Sequence, residues 1–136
     1  MAEAGYSGTP LPRKLGIKEG DRVALLRAPA GFDDTLGELP PTVQVLRQAR
    51  APLDVVVLFS TRRAGLVADV ERVRARIERA GSIWIAWPKR SSGVATDITE
   101  DVLREELLPT GLVDTKVCAI DATWSGLRFV IRKELR

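Results

Sequence analysis

Apolar runs bounded by Gly, Pro and charged residues divide this chain into an alternation of strands and helices. The clearest run is Leu53-Asp54-Val55-Val56-Val57-Leu58-Phe59, entered from Pro52. Its nearly continuous β-branched hydrophobicity predicts a strand buried on both faces of a parallel sheet. A second run, Ile83-Trp84-Ile85-Ala86-Trp87, is wholly apolar and passes through Pro88 into Lys89-Arg90-Ser91-Ser92-Gly93. A central strand of an open α/β sheet delivers a polar loop to the sheet's C-terminal edge in this way, and such folds bind ligands there. Arg22–Leu26, behind the Gly20-Asp21 turn, reads as a first strand, and Val43–Leu46 as a shorter one.

Helical periods fill the intervals. Arg13 to Gly16 suits one helical turn, and residues 33–38 suit a short helix stopped by Pro40-Pro41. From Ala64 to Ala80, Leu66, Val70, Val73, Ile77 and Ala80 recur at spacings of three and four, which predicts a long amphipathic helix ended by Gly81. Its arginines alternate with acids, the mark of a solvated, ion-paired face. A further helix, capped by Asp97 or Thr99, is expected to reach Leu108 before Pro109 and Gly111. Lys116–Ile120 and Leu127–Arg132, separated by a polar turn, then predict an antiparallel pair at the sheet's edge.

This order predicts an α/β three-layer sandwich with a mostly parallel, Rossmann-like sheet and an antiparallel C-terminal strand pair. Residues 1–12 are expected to form a flexible N-terminal segment and residues 13–136 a single α/β domain. The topology resembles a truncated Rossmann-like methyltransferase, with Arg22–Leu26, Val43–Leu46, Leu53–Phe59 and Ile83–Trp87 matching that family's first, second, fourth and fifth strands. The family holds S-adenosylmethionine with a Gly-rich loop after the first strand and an acid ending the second. Here the loop is Arg27-Ala28-Pro29-Ala30-Gly31-Phe32 and the second strand ends in Leu46-Arg47. The resemblance therefore implies the scaffold without its cofactor loop, and no cofactor is expected.

Composition narrows the chemistry further. There is no histidine and one cysteine, Cys118, which removes histidine-based catalysis, thiolate metal clusters and an intrachain disulfide. Cys118 lies in an apolar stretch and reads as a buried small hydrophobe. The 21 basic and 18 acidic residues are spread evenly, so no basic patch points to nucleic acid. No apolar run approaches a bilayer's width and no signal-peptide pattern opens the chain, so a cytoplasmic protein with no membrane partner is expected.

Three loops should converge at the C-terminal edge, after residues 26, 59 and 87. They offer Arg27, Arg62, Arg63, Lys89 and Arg90 as cations and Ser60, Thr61, Ser91 and Ser92 as hydroxyls. Arg62, Arg63, Lys89, Arg90, Ser91 and Ser92 are the candidate ligand-binding residues, for an anionic small molecule, and the competing reading is that they are polar loop tips. Asp33-Asp34 read as acids stabilising a helix start rather than a metal or catalytic pair. No residue is assigned a catalytic or metal-binding role. Trp124, placed in a hairpin turn, is the candidate contact for a protein partner or a homodimer.

The chain is also similar, over nearly its whole length, to a small actinobacterial family of unknown function. The likeness is carried by Tyr6-Ser7-Gly8-Thr9-Pro10-Leu11, Trp87-Pro88-Lys89, Gly93-Val94-Ala95-Thr96-Asp97 and Trp124-Ser125-Gly126-Leu127-Arg128-Phe129. It implies no substrate or reaction. Two function classes follow. One is a non-enzymatic α/β binding or regulatory module that has lost the methyltransferase cofactor loop. The other is a small-molecule enzyme or sensor holding a phosphorylated or carboxylated ligand at the sheet edge. With no catalytic constellation in view, the sequence leans against an enzyme.

Overall fold

A computed structural model describes residues 8–136. Six strands form one sheet in the order β2-β1-β3-β4-β6-β5. The strands are β1 (Arg22–Leu26), β2 (Gln44–Leu46), β3 (Leu53–Phe59), β4 (Ile77–Pro88), β5 (Leu112–Ala119) and β6 (Trp124–Ile131). β2, β1, β3 and β4 run parallel, while β6 pairs antiparallel with both β4 and β5. The three-layer Rossmann-like sheet with its antiparallel C-terminal pair is thus the observed architecture. The expected mobile segment lies mostly outside the described residues, at 1–7; Leu11 and Pro12, also assigned to it, are buried in a helix.

Side-chain alternation along the central strands sorts the core into two halves. Val56, Leu58, Ile83, Ile85 and Trp87 face one side, where they meet Leu66, Val70 and Val73 of α3 (Leu66–Arg74) and Leu103 and Leu107 of α4 (Glu100–Leu107). Val55, Val57, Phe59, Trp84 and Ala86 face the other side, under α1 (Leu11–Lys14) and α2 (Phe32–Leu36). The two tryptophans of β4 therefore anchor opposite layers. Trp84 is completely buried and its indole N–H donates to the Leu15 carbonyl at 2.9 Å, tying the segment after α1 to the centre of the sheet. Thr99 caps α4 by accepting from the Val102 N–H at 3.1 Å.

One expected element is corrected. The helix expected over 64–80 ends at Arg74, and Ile77 to Ala80 belong to β4. Ile77 keeps helical spacing because it packs on the same apolar cluster as Val73, but it does so from a strand position opposite Leu53. A bulge between Leu53 and Val55 follows, and Gly81 sits inside it. A Cβ there would stand 3.0 Å from the Glu78 carbonyl oxygen and 3.2 Å from that of Asp54. The glycine permits a close backbone approach instead of ending a helix. Among the described residues no helix is long and apolar enough to cross a membrane.

Candidate functional site at the C-terminal edge

Parallel register fixes what can meet at this edge. Leu26 pairs with Leu58 and Leu58 with Ile85, so the chain leaves β1 and β3 at nearly one level, while β4 runs on to Pro88. Arg27 turns out of β1 with a φ of 58°, a left-handed conformation that costs a non-glycine residue energy. The turn sends its guanidinium to the Asp69 carboxylate of α3, 2.8 Å away. Asp69 occupies the first turn of α3, where the helix's free N–H groups favour a negative charge, and it also pairs with Arg72. Its side chain is 16% exposed against 58% for Arg27, so the acid is the sheltered member of the group.

A cavity of about 500 Å³ opens here, lined by Arg27, Ser60, Thr61, Arg62, Asp69 and Trp124 among others. The backbone N–H of Ser60 donates to the Ala86 carbonyl at 2.9 Å and extends the β3–β4 ladder by one bond. Its buried hydroxyl donates to the Arg62 carbonyl at 3.4 Å, a long contact that a ligand could displace. The Arg62 side chain is exposed and makes no ion pair or hydrogen bond among the described residues. Phe59 and Trp124 form an aromatic wall, ring centroids 5.0 Å apart at 87°, and Phe32 extends it on Phe59 at 4.9 Å and 75°. Arg27, Arg62 and Arg72 outnumber Asp69, which leaves the edge cationic.

The six candidate ligand residues separate. Arg62 lines the cavity, whereas Arg63 turns to α4, with its Nε 2.6 Å from Glu106 and a terminal nitrogen 2.9 Å from Glu105. Its backbone N–H donates to Asp97 at 2.6 Å. Those acids raise the guanidinium's pKa and make Arg63 a clamp between the β3 loop and α4. Lys89, Arg90, Ser91 and Ser92 line a different part of the edge, outside the cavity that holds Arg62. The Lys89 N–H donates to the Thr123 carbonyl at 2.7 Å and the Ser92 hydroxyl donates to the Lys89 carbonyl at 2.6 Å, so this loop folds on itself beside the β5–β6 connection. Arg62 meets Arg27, Ser60 and Thr61, not the 89–92 group.

Trp124 is not at the tip of the hairpin. It is the first residue of β6, opposite Pro88, with its ring half-buried against Phe59. Asp69 was hidden in the sequence because it falls among the charged residues of an amphipathic helix. The signal that could have found it is its place one turn beyond Gly65. Asp33 lies in the first turn of α2 and pairs with Arg47, just after β2, at 2.8 Å. Among the described residues no group of three His, Cys, Asp or Glu side chains could hold a metal ion.

No protein-family model matches the chain, and no curated protein matches it in sequence. Solved structures match its fold. DhpI in complex with SAH is 14% identical with a TM-score of 0.62, over 91% of this chain and 83% of that one. A SAM dependent methyltransferase from Aquifex aeolicus is 16% identical with a TM-score of 0.59, over 88% and 87%. TrmN from Thermus thermophilus is 14% identical with a TM-score of 0.56; 89% of this chain spans 47% of that protein, about half its length. At such identities the likeness is one of fold.

These neighbours correct the expectation of a non-enzymatic module and the leaning against an enzyme, because one structure named as a SAM dependent methyltransferase and another named as a complex with SAH share this fold across most of both chains. That expectation equated the loss of glycines in the β1 loop with the loss of the site. The cavity is built mainly from residues 59–65, Asp69 and Trp124, so the composition of one loop does not decide it.

Proposed function

We propose that this chain is an enzyme of the small-molecule methyltransferase class, whose ligand places its charged end between Arg27, Arg62 and Asp69. The observation that carries this reading is the cavity of about 500 Å³ at the C-terminal edge, which combines those charges with the Ser60 hydroxyl and the Phe59–Trp124 wall. Arginine presents a planar fork to a carboxylate or phosphate, and Asp69 is an acceptor for an ammonium group. An α-amino acid end therefore meets the opposite charge at both of its groups. S-adenosylmethionine has such an end, and one neighbour is named as dependent on SAM and another as a complex with SAH.

The residues fit that cofactor. Arg27 and Arg62 would hold its carboxylate and Asp69 its ammonium group. The aromatic wall would shelter its apolar part. Beyond the end of β2 stands Arg47 in place of an acid, paired with Asp33 at 2.8 Å, and both lie outside the lining of the cavity. When bound, the cofactor supplies an activated methyl group; this chain's residues bind it, orient it and exclude water. Arg63 keeps a structural role, and half-buried Lys89 with exposed Arg90 and Ser91 act as polar charge and hydroxyl at the approach. The motif likeness to the small actinobacterial family belongs to the same proposal.

Two arginines against one acid in the lining favour a second reading, a phosphorylated or carboxylated small molecule in the same cavity. Titration calorimetry with SAH, S-adenosylmethionine and inorganic phosphate separates the two. Saturable binding of SAH, weakened by Arg62→Ala and by Asp69→Asn, supports the first. Phosphate binding alone would replace it with the second, and no binding by any of the three would overturn both.

A further inference from the structure

The two faces of the sheet are covered unequally. α3 and α4 have nine and eight residues, whereas α1 and α2 have four and five. At about 1.5 Å of rise per residue, the two short helices cannot span the face that the longer pair spans on the other side. The result is a cavity of about 800 Å³ between α1, α2 and the end of β5. This space is far above the roughly 30 Å³ share of one water and within the range of small-molecule sites.

Its chemistry is graded. Leu11, Ile17, Leu36 and Ile120 form an apolar floor that belongs to the core, and Pro10, Pro12 and Pro40 stiffen the walls. The rim carries Arg13, Lys14 and Lys18 against one acid, Glu38. A neighbouring concavity shares Arg13 and Lys14 and adds Lys116 of β5, so the cationic rim continues on that side. The Lys14 ammonium is already anchored by the Ala119 carbonyl at 3.2 Å, which holds one cation at the boundary between the two spaces. Arg13 and Lys18 are exposed and reach the rim from either end of the α1 segment.

The geometry points to a second ligand site here, for an amphipathic carboxylate with a medium-length apolar body. Its tail lies on Leu11, Ile17 and Leu36, and its carboxylate meets Arg13 and Lys18. Burying the tail supplies most of the affinity, and the rim selects the charged head over a neutral one. The site is separate from the edge cavity, from which it is divided by the Ile120–Trp124 connection, where the Ile120 N–H donates to the Trp124 carbonyl at 2.9 Å.

The test is an NMR titration of the isotope-labelled protein with decanoate, with decanol as the uncharged control. Decanoate should saturate, shifting the amides of Ile17, Leu36 and Gly37, and should bind roughly tenfold more tightly than decanol. The double variant Arg13→Glu, Lys18→Glu alters exposed side chains only, so it should keep its fold. In it decanoate affinity should fall roughly tenfold or more while decanol is unaffected. A cavity-filling Leu39→Trp change should weaken both ligands. Decanoate that fails to saturate, shifts only residues 60–65, or binds the double variant as tightly as the wild type would overturn the site. SAH binding is measured on the same variants, and its persistence shows that failure here leaves the edge cavity's function standing.

Discussion

Adjacent arginines on the β3 loop should give opposite phenotypes when each is replaced by alanine. Arg62 is exposed, has no ion-pair partner among the described residues and lines the edge cavity. Its removal should change stability by no more than about 0.5 kcal/mol, the usual range for a surface substitution that breaks no contact. A lost charge-assisted hydrogen bond to a ligand carboxylate is worth about 1.5–3 kcal/mol, which weakens SAH binding roughly 10- to 100-fold. Arg63 makes the reverse case. Its contacts at 2.6 Å and 2.9 Å to Glu106 and Glu105 bind the loop to α4, so Arg63→Ala should lower the melting temperature and affect SAH only as the loop loosens. Melting curves and calorimetry on both variants provide the assay. If Arg62→Ala melts early yet binds SAH normally, the assignment of the two residues is reversed and the reasoning fails.

Three other outcomes follow from single contacts. Trp84→Phe removes the 2.9 Å bond to the Leu15 carbonyl together with part of a fully buried ring, and urea denaturation should register a loss of roughly 2–4 kcal/mol. Asp69→Asn leaves Arg27 and Arg72 without their acid, so phosphate should bind more tightly and SAH more weakly by calorimetry; a parallel rise in both would contradict the zwitterion argument. Burial raises the Cys118 thiol above its ordinary pKa, against the opposing pull of Lys14 and Lys116. The contribution is therefore complete below the ordinary thiol pKa and is lost as pH rises through the higher folded value. Iodoacetamide should label Cys118 with a pH midpoint above that of cysteine in a short peptide.

The sheet was legible because its central strands are apolar on both sides, a pattern that few other elements carry. Leu53–Phe59 matched β3, and Val57 of that strand pairs with Trp84 in the parallel sense expected. The antiparallel C-terminal pair was legible from the turn chemistry around Asp121, whose carboxylate accepts from the Thr123 and Trp124 N–H groups at 2.8 Å. The long helix misled because a bulged strand can present Ile77 to the same cluster as a helix would, and local periodicity cannot see the partner Leu53. At the site, Arg62 was legible as a cation after a central strand. Nothing in the sequence separates it from Arg63, since their difference is set by Glu105 and Glu106 some forty residues away. Asp69 was missed for the same reason: only the strained turn at Arg27 makes it part of the cavity.

A crystal structure of the protein soaked with SAH tests the central claim most directly. The account predicts the ligand's carboxylate within hydrogen-bonding distance of Arg27 and Arg62, its amino group on Asp69, and its body against Trp124. SAH bound elsewhere, or an empty edge cavity at saturating ligand, would contradict it.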